Sequence, residues 1–372
     1  MKQPQPIRLT LVISGLSSGG AERVLSTMAN YWAARDWIIT VLTWEGQGKR
    51  PFYPLDPRVI YRPLGLEVAS TNSLHALLNN ARRVVALRRA IEITAPQVVI
   101  SFGDSTNVVS VAAVTGLGVP LIVSERVDPR AGGAPRVWDR LRRWTYPHAS
   151  RVVVQTQDVL PCFSARVRRR SRIIPNPVSV PPNPCSCAGR VEGSEPTVLS
   201  MGRLVPQKGF DMLLDAFAQV ALRNPNWKLD IWGEGPSRSA LEARARALGL
   251  EDRVHLCGRT QQPFDVMRRA SLFVLSSRFE GFPNVLCEAM ACGLPAVSFD
   301  CMSGPRDIIR HGVNGILVPP GDVTGLATVL DRLMTDAKER DLLGCRATGV
   351  AERFGLDTVM TKWQEIIREV VQ

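Results

Sequence analysis

The sequence lacks any apolar run of the ~18 residues that a membrane-spanning helix requires. Its first ten residues, Met1 to Thr10, are interrupted by Gln and Pro and show no cleavage-site pattern, so no signal peptide is predicted. We therefore expect a cytoplasmic chain that does not cross a membrane.

Metal-binding and disulfide-forming patterns are also scarce. The eight cysteines include no Cys-x2-Cys pair, and only Cys185 and Cys187 lie close together. The four histidines have no ligand spacing, and Asp-x-Asp, a common metal-binding pair, does not occur. Scattered cysteines favour reduced thiols in a cytosolic protein. The sequence predicts no metal site and no bound cofactor.

Acidic residues are few in the first half of the chain. Residues 1–190 hold 25 Lys and Arg against 11 Asp and Glu, a net charge of +14, whereas residues 191–372 carry −2. This asymmetry predicts an anionic partner for the first half, which is nucleic acid, a membrane surface or a phosphorylated acceptor.

Short apolar runs alternate with helical patterns along all 372 residues, which predicts parallel sheets with helical crossovers. The length suits two domains. Arg151 to Gln155 is the last strand predicted in the first half. A stretch rich in Pro, Gly and Ser, residues 179–196, is the predicted linker between domains of residues 1–178 and 197–354. The strands predicted in the second half are Thr197 to Ser200, Lys228 to Trp232, Arg253 to Leu256, Leu272 to Leu275, Ala296 to Phe299 and Ile316 to Val318.

Two carboxylates lie eight residues apart after the run Leu272 to Leu275. Glu280 is in the loop that follows this strand, and a helix that starts near Asn284 places Glu288 roughly 6 Å along its axis. Ligands of open α/β sheets bind beyond the carboxyl ends of the strands, and carboxylates accept hydrogen bonds from hydroxyl groups. The pair therefore predicts a polyhydroxy ligand, although a solvated helix cap and a surface residue would give the same spacing.

Cations and glycines follow other predicted strands. Arg203 and Lys208 flank a Pro turn before an amphipathic helix, and both suit a phosphate. Gly233 and the pair Gly258-Arg259 end two more strands, where glycine leaves room for a ligand. The loop with Gly19 and Gly20 either places backbone N–H groups against a phosphate or simply shapes an α/β turn.

Three separated motifs together resemble the family 4 retaining glycosyltransferases of the GT-B fold, from about residue 8 to about residue 370. They are Gly19-Gly20-Ala21-Glu22, Gly202-Arg203-x4-Lys208-Gly209 and Glu280-x7-Glu288. Ser124-Glu125-Arg126 and the stretch from Gly304 to Ile309 are similar to bacterial members that build lipid-linked glycans and surface polysaccharides.

The resemblance implies two doubly wound, Rossmann-like parallel-sheet domains that face each other across a cleft. Residues 1–178 would bind the acceptor, with the helix of residues 355–372 crossing back onto them, and residues 197–354 would bind the donor. It implies metal-independent transfer of a sugar from a nucleotide diphosphate, such as UDP-GalNAc, UDP-GlcNAc or a UDP-hexose, to an acceptor hydroxyl with retention of configuration.

Roles for individual residues follow from the same resemblance. Arg203 and Lys208 would stabilise the leaving phosphate, Glu280 would accept from sugar hydroxyls, and Glu288 would accept from the ribose. We assign catalysis to Glu280, Arg203 and Lys208, and donor binding to Gly19, Gly20, Gly202, Gly233, Arg259, Gly281, Phe282, Pro283, Asn284 and Glu288. Many relatives carry a His after the strand Leu121 to Ser124, and this chain has none there. Glu125 or Arg126 would instead contact the donor sugar or the acceptor, or form a strand-end ion pair.

The segment Arg136 to Tyr146 mixes arginine with aromatic residues. This mixture is typical of a helix at a membrane interface. It also suits a helix that packs Val137, Leu141 and Trp144 against the sheet and leaves its arginines in solvent. With the basic cluster Arg166 to Arg172, it predicts a polyprenyl-diphosphate-linked acceptor and an anionic membrane surface as partners, and a peripheral location on the inner face of the cytoplasmic membrane.

Two other functions remain open from the sequence. A nucleotide-sugar epimerase of the same architecture would need the same phosphate-binding cations. A nucleic-acid-binding protein would fit the charge, but it would give Glu280 and Glu288 no role, so we expect no nucleic acid partner.

Overall fold

The computed structural model describes residues 6–67, 73–131, 136–179 and 195–371. The chain divides into two compact units, Met1–Asn176 with Val359–Gln372, and Pro177–Thr358. The predicted linker lies outside the described residues except for its ends. No helix within the described ranges is both long and apolar enough to cross a bilayer.

The first unit is built on a seven-stranded sheet. Its strands are β1 (Arg8–Ile13), β2 (Ile38–Thr43), β3 (Ile60–Pro63), β4 (Val98–Phe102), β5 (Leu121–Ser124), β6 (Arg151–Val154) and β7 (Ser171–Ile173). All are parallel, in the order β3-β2-β1-β4-β5-β6-β7, so that the winding reverses between β1 and β4. Its helices are α1 (Gly20–Ala33), α2 (Ser73–Thr94), α3 (Asp104–Val114), α4 (Arg136–Thr145) and α5 (Ala165–Arg170).

The last strand of this sheet differs from the prediction. β7 pairs in parallel with β6, so Arg151 to Gln155 is not the final strand. The sequence hides β7 because it has only three residues and follows a run of arginines. Short edge strands with charged neighbours are a common way to protect a sheet edge from pairing with another chain.

The second unit repeats the architecture with six parallel strands. They are β8 (Thr197–Met201), β9 (Lys228–Trp232), β10 (Val254–Gly258), β11 (Leu272–Leu275), β12 (Ala296–Phe299) and β13 (Ile316–Val318), in the order β10-β9-β8-β11-β12-β13. The helices that come after β8 in the chain are α6 (Phe210–Ala221), α7 (Arg238–Ala247), α8 (Pro263–Arg269), α9 (Asn284–Ala291), α10 (Pro305–Ile308), α11 (Val323–Thr335), α12 (Ala337–Ala347), α13 (Val350–Phe354) and α14 (Leu356–Val371).

Neighbouring residues of the central strands enter two different cores. On β8, Val198 packs with α6, α7 and α11, whereas Leu199 packs with α8, α9 and α13. Strands buried on both faces need the continuous apolar runs that the sequence shows. The prediction of two parallel-sheet α/β domains is confirmed. The larger part of α14, from Val359, groups with the first unit, where Trp363 is fully buried.

Candidate active site

The loops that follow β8 and β11 are bonded to each other in the second unit. The two strands pair directly although they lie some 70 residues apart in the chain. The Ser276 hydroxyl donates to the carbonyl of Lys208 at 2.9 Å, and the Arg278 N–H donates to the carbonyl of Gln207 at 2.8 Å. The Gln207 side chain donates to the carbonyl of Phe279 at 3.0 Å. The two motifs that carry the predicted chemistry therefore form one connected surface.

Glu280 and Lys208 meet on this surface in an ion pair. The Lys208 Nζ lies 2.6 Å from Glu280 Oε1, and the Ser277 hydroxyl donates to the same oxygen at 2.6 Å. The Glu280 side chain is only 7% exposed, and the Lys208 side chain is 15% exposed. Glu280 Oε2 accepts no hydrogen bond from any described residue. One carboxylate oxygen is thus fixed by the protein, and the other is available to a ligand hydroxyl.

Arg203 supplies a second cation in the loop that carries Lys208. It follows β8 directly, its side chain is exposed, and it has no hydrogen-bond or ion-pair partner in the described ranges. Since the Lys208 ammonium is already paired, the Arg203 guanidinium is the cation of this motif that is left for an anionic ligand. Its planar fork suits two oxygens of one phosphate.

Two glycines permit the close backbone approach on which the site depends. Gly209 has a φ of +63°, and a Cβ there would overlap the carbonyl oxygen of Ser276. Gly233 has a φ of +149°, and a Cβ there would overlap the carbonyl oxygen of Gly202. The loop at Gly202 fills the Cβ position of Gly233, and the predicted approach of a ligand to this backbone stays a prediction.

Helix α9 begins at Asn284, as the sequence predicts, with Pro283 at its N-cap. Phe282 packs into the core against the edge of Phe354, with ring centroids 5.3 Å apart, and this contact fixes the loop from Gly281. Glu288 lies one turn into the helix and is 2% exposed. It is therefore a buried side chain, and its predicted contact with a ribose stays a prediction.

Two polar groups of the site were not predicted. Ser277 fixes Glu280, and Gln207 joins the two loops. Both adjoin predicted residues, but nothing in the sequence distinguishes their side chains from ordinary loop polarity. Arg259 follows β10 and has an exposed side chain that makes no hydrogen bond or ion pair with a described residue. Arg238 chiefly, and Arg259 to a smaller extent, hold the pKa of Glu234 below its usual value.

The remaining predicted residues, Gly19, Gly20, Glu125 and Arg126, belong to the first unit. Gly19 is the N-cap of α1, and a Cβ at this position would overlap the carboxylate of Glu22. The Ser17 hydroxyl lies 3.4 Å from the same carboxylate. Since a carboxylate already lies at the start of the helix over Gly19, a phosphate at Gly19 and Gly20 requires the Glu22 side chain to move.

Glu125 is part of a buried network rather than an open site. The Tyr146 hydroxyl donates to Glu125 Oε2 at 2.7 Å, and Asn107 donates to that hydroxyl at 2.9 Å. Arg142 Nε lies 3.5 Å from the same carboxylate oxygen. Burial raises the pKa of Glu125 to about 7, against the opposing effects of Arg142 and Tyr146. Of the two roles that the sequence leaves open, the structure shows the ion pair at the strand end.

Arg126 is also engaged inside the first unit. Its guanidinium lies 4.0 Å from the centre of the Phe102 ring, and one nitrogen donates to Asn176 Oδ1 at 2.6 Å. Burial lowers the pKa of Arg126 to about 9. Both residues of the predicted acceptor-side pair are therefore tied to the packing of their own unit.

Comparison with known proteins adds to this geometry. A family model described as glycosyl transferases group 1 matches residues 188–349, and a glycosyl transferase 4-like domain matches residues 19–178. A Campylobacter jejuni relative, named GalNAc-α-(1→4)-GalNAc-α-(1→3)-diNAcBac-PP-undecaprenol α-1,4-N-acetyl-D-galactosaminyltransferase, is 29% identical over 98% of this chain and 99% of its own.

A second relative matches one part of the chain more closely. An exopolysaccharide phosphotransferase of Streptomyces coelicolor is 43% identical over 47% of this chain, and the match spans only 19% of that protein. Among solved structures, Anabaena HepE in complex with UDP superposes with a TM-score of 0.77 at 21% identity, over 98% of this chain and all of that one, which shows a common fold. From the two family models, which cover both halves, and the full-length relative, the chain belongs to the family 4 glycosyltransferases of the GT-B fold.

Proposed function

We propose that the chain transfers a sugar from a UDP-sugar to a hydroxyl of a lipid-linked or polysaccharide acceptor, with retention of anomeric configuration and without a metal ion. The observation that carries the proposal is the cluster of Lys208, Glu280 and Ser277 at the carboxyl ends of β8 and β11, with the unpaired Arg203 in the same loop as Lys208. The cluster combines a carboxylate that is held in place and can accept a hydrogen bond from a sugar hydroxyl with a cation that is available to a phosphate.

The relatives support the choice of substrates. HepE was crystallised with UDP, and the Campylobacter jejuni relative is named as an N-acetylgalactosaminyltransferase that acts on a PP-undecaprenol-linked glycan. We therefore propose UDP-GalNAc, UDP-GlcNAc or a UDP-hexose as donor. We propose a polyprenyl-diphosphate-linked glycan as acceptor.

Each residue of the cluster has a chemical task in this reaction. Cleavage of the bond between the anomeric carbon and the phosphate oxygen leaves negative charge on the departing UDP, which the Arg203 guanidinium would stabilise. Oε2 of Glu280 would accept a hydrogen bond from a sugar hydroxyl. Lys208 holds that carboxylate in place through the ion pair, and it adds positive charge close to the leaving group.

Retention follows if the acceptor attacks the face from which UDP departs. The acceptor oxygen bonds to the anomeric carbon, and the departing phosphate oxygen takes the acceptor proton, so no protein base is required. Cations in place of a metal ion agree with this scheme, in which positive side chains neutralise the leaving group.

Helix α4 supports the proposal of an anionic membrane surface as a partner. Val137, Leu141 and Trp144 form an exposed stripe along it, and Trp144 is 80% exposed. The alternative in which this stripe packs against the sheet is wrong, because Trp138 and Arg142 are the residues that turn inward. Exposed apolar side chains with arginines on either side are typical of a helix that lies in a lipid interface.

Exposed arginines accompany the stripe on α4 and are also found on α5. Arg140 and Arg143 on α4 are exposed, as are Arg166, Arg168 and Arg169 on α5. Each basic residue near an anionic bilayer contributes about 1 kcal/mol of attraction. A peripheral location at the membrane would bring the chain to a lipid-linked acceptor.

The activity is tested by incubating the purified chain with each UDP-sugar and a synthetic polyprenyl-diphosphate-linked glycan, and by measuring released UDP and the glycan product. We expect Arg203→Gln and Glu280→Gln to reduce turnover at least 100-fold, and Arg246→Gln, a change of an exposed arginine on α7, to leave it unchanged. The anomeric coupling constant of the product reports the stereochemistry. An inverted product would refute retention, and conversion of the donor sugar without acceptor would indicate an epimerase instead.

The membrane partner is tested by flotation with vesicles of phosphatidylglycerol and phosphatidylcholine. We expect Leu141→Ser with Trp144→Ser to weaken partitioning at least tenfold. The control is Leu222→Ser, which removes an apolar side chain from the second unit that is even more exposed than Leu141 and Trp144. Equal flotation of both variants, or none by the unmodified chain, would contradict the proposal.

A further inference from the structure

A recess in the second unit gathers three arginines away from the candidate active site. It has a volume of about 280 Å³ and lies between the segment after α10 and the helices α12 and α13. Arg310, Arg346 and Arg353 line it together with Asn314 and a single acidic residue, Glu352. None of these residues belongs to the motifs of the candidate active site.

Three arginines against one carboxylate leave the lining of this recess with a net positive charge. The side chains of Arg310 and Arg346 make no hydrogen bond or ion pair with any residue in the described ranges. Glu352 likewise forms no ion pair within the part of the chain that the structure describes. Arg353 donates to the carbonyl oxygens of Ile308 and Asp307 at 2.9 and 2.5 Å, which satisfies hydrogen bonds but leaves its charge in place.

The arginines act on one another electrostatically. Burial lowers the pKa of Arg353, and the like charge of Arg310 lowers it further, whereas Cys287 and Asp307 oppose this with smaller effects. Like charges that converge on a concave surface focus positive potential into it. Such an arrangement costs stability unless an anion neutralises it.

We propose that this recess binds a phosphorylated ligand through Arg310, Arg346 and Arg353. Guanidinium groups match phosphate oxygens two at a time, so three of them can surround one phosphoryl or diphosphoryl group. At about 280 Å³ the recess lies just below the ~300–1,000 Å³ of typical drug-sized ligand sites, which suits a small anion.

The recess is separate from the candidate active site, and α10 lies between the two. At the start of this helix, a Cβ on Gly304 would come within 2.7 Å of Pro283 Cδ and 2.8 Å of the Gly281 carbonyl oxygen. At its end, the carbonyls of Asp307 and Ile308 are held by Arg353. Since the lining of the recess includes no residue of the candidate active site, binding at one site can be measured while the other is altered.

Isothermal titration with inorganic diphosphate tests the proposal. The double variant Arg310→Gln/Arg346→Gln retains Arg353 and its bonds to α10, and it alters two exposed side chains, so we expect the fold to be preserved. We expect diphosphate to bind the recess at least tenfold more weakly in this variant. The same titration is run with Arg203→Gln, which removes the unpaired cation of the active site, and there we expect the binding to the recess to remain.

The matched control is Arg246→Gln, which removes one exposed, unpaired arginine from α7. Equal affinity and stoichiometry for the unmodified chain and the double variant would overturn the proposal. So would an equal loss in the Arg246→Gln control, since that would show attraction by general charge. Parallel titrations with a sugar phosphate, a nucleoside triphosphate and vesicles of phosphatidic acid identify the source of the phosphoryl group, and binding of any of them that the double variant loses supports the site.

Discussion

The ion pair between Lys208 and Glu280 gives the sharpest quantitative prediction. Lys208→Met removes the ammonium 2.6 Å from a carboxylate that is only 7% exposed, and leaves Ser277 as its remaining partner. Removal of one partner of a buried ion pair costs roughly 3–5 kcal/mol of unfolding free energy, and the partial exposure of Lys208 puts the expected cost at about 3 kcal/mol. Glu280→Gln keeps an acceptor for Ser277, so we expect a cost of only about 1 kcal/mol.

The double variant Lys208→Met/Glu280→Gln separates stability from catalysis. Without a buried unpaired charge, its unfolding free energy should exceed that of Lys208→Met by about 2 kcal/mol, although it carries one more substitution. Its turnover should stay roughly 100- to 1,000-fold below that of the unmodified chain, because the charges act on the reacting groups. Urea unfolding and the UDP-release assay measure the two quantities. Recovery of turnover together with stability would show that the pair is only structural. No change of stability in Lys208→Met would refute the assignment of a strong buried pair.

Further predictions concern the backbone, a buried acid and metal dependence. Gly209→Ala should lower the thermal midpoint and abolish turnover, because its Cβ would overlap the Ser276 carbonyl, whereas Gly249→Ala, with a similar φ of +67° and open space, should cost only about 1–2 kcal/mol. The pKa of Glu125 is raised to about 7 in the folded state, so the folded chain keeps this carboxyl protonated up to a higher pH than the unfolded chain does. The free energy of unfolding should therefore fall as the pH rises from about 4.5 to about 7. Glu125→Gln should remove this dependence, on the order of 3 kcal/mol, as measured by urea unfolding at each pH; an unchanged slope would contradict the raised pKa. Turnover should be unchanged after EDTA treatment, and loss of activity that Mg²⁺ or Mn²⁺ restores would refute metal independence.

Local features of the active-site loops could be predicted from the sequence. The apolar run Leu272 to Leu275 ends at a loop, and α9 begins at Asn284 because Pro283 precedes it and fits an N-cap position. The bonds between the two loops could not be predicted. They depend on β8 lying beside β11, and the strand order of a parallel sheet is a tertiary property that no short segment specifies.

Helix α4 shows a different limit. Its period was sufficient to predict the helix and its apolar stripe, but not the direction in which the stripe points. Trp138 packs on the core, and Arg142 turns inward to the carboxylate of Glu125, which leaves Trp144 in solvent. The helix therefore turns Arg142 toward its buried ion-pair partner and leaves its apolar stripe in solvent, whereas the apolar side of a surface helix usually faces inward. This partner lies on another element, 17 positions away, so the helix alone gives no sign of it.

Net charge is a poor guide to where this chain binds anions. Residues 191–372 carry a net charge of −2, yet Arg203 and Arg259 follow two strands of their sheet, and Arg310, Arg346 and Arg353 share one recess. Many carboxylates of this half form ion pairs on the surface, such as Asp211 with Arg278 and Asp215 with Arg244. The cations that lack such partners determine the local electrostatic potential, because screening by salt limits the reach of each charge to about 8–10 Å. The two halves differ in this respect. Exposed arginines of α4 and α5 contribute to the excess positive charge of the first half, and such a spread suits an extended anionic surface. The second half instead concentrates a few unpaired cations where a small phosphate would fit.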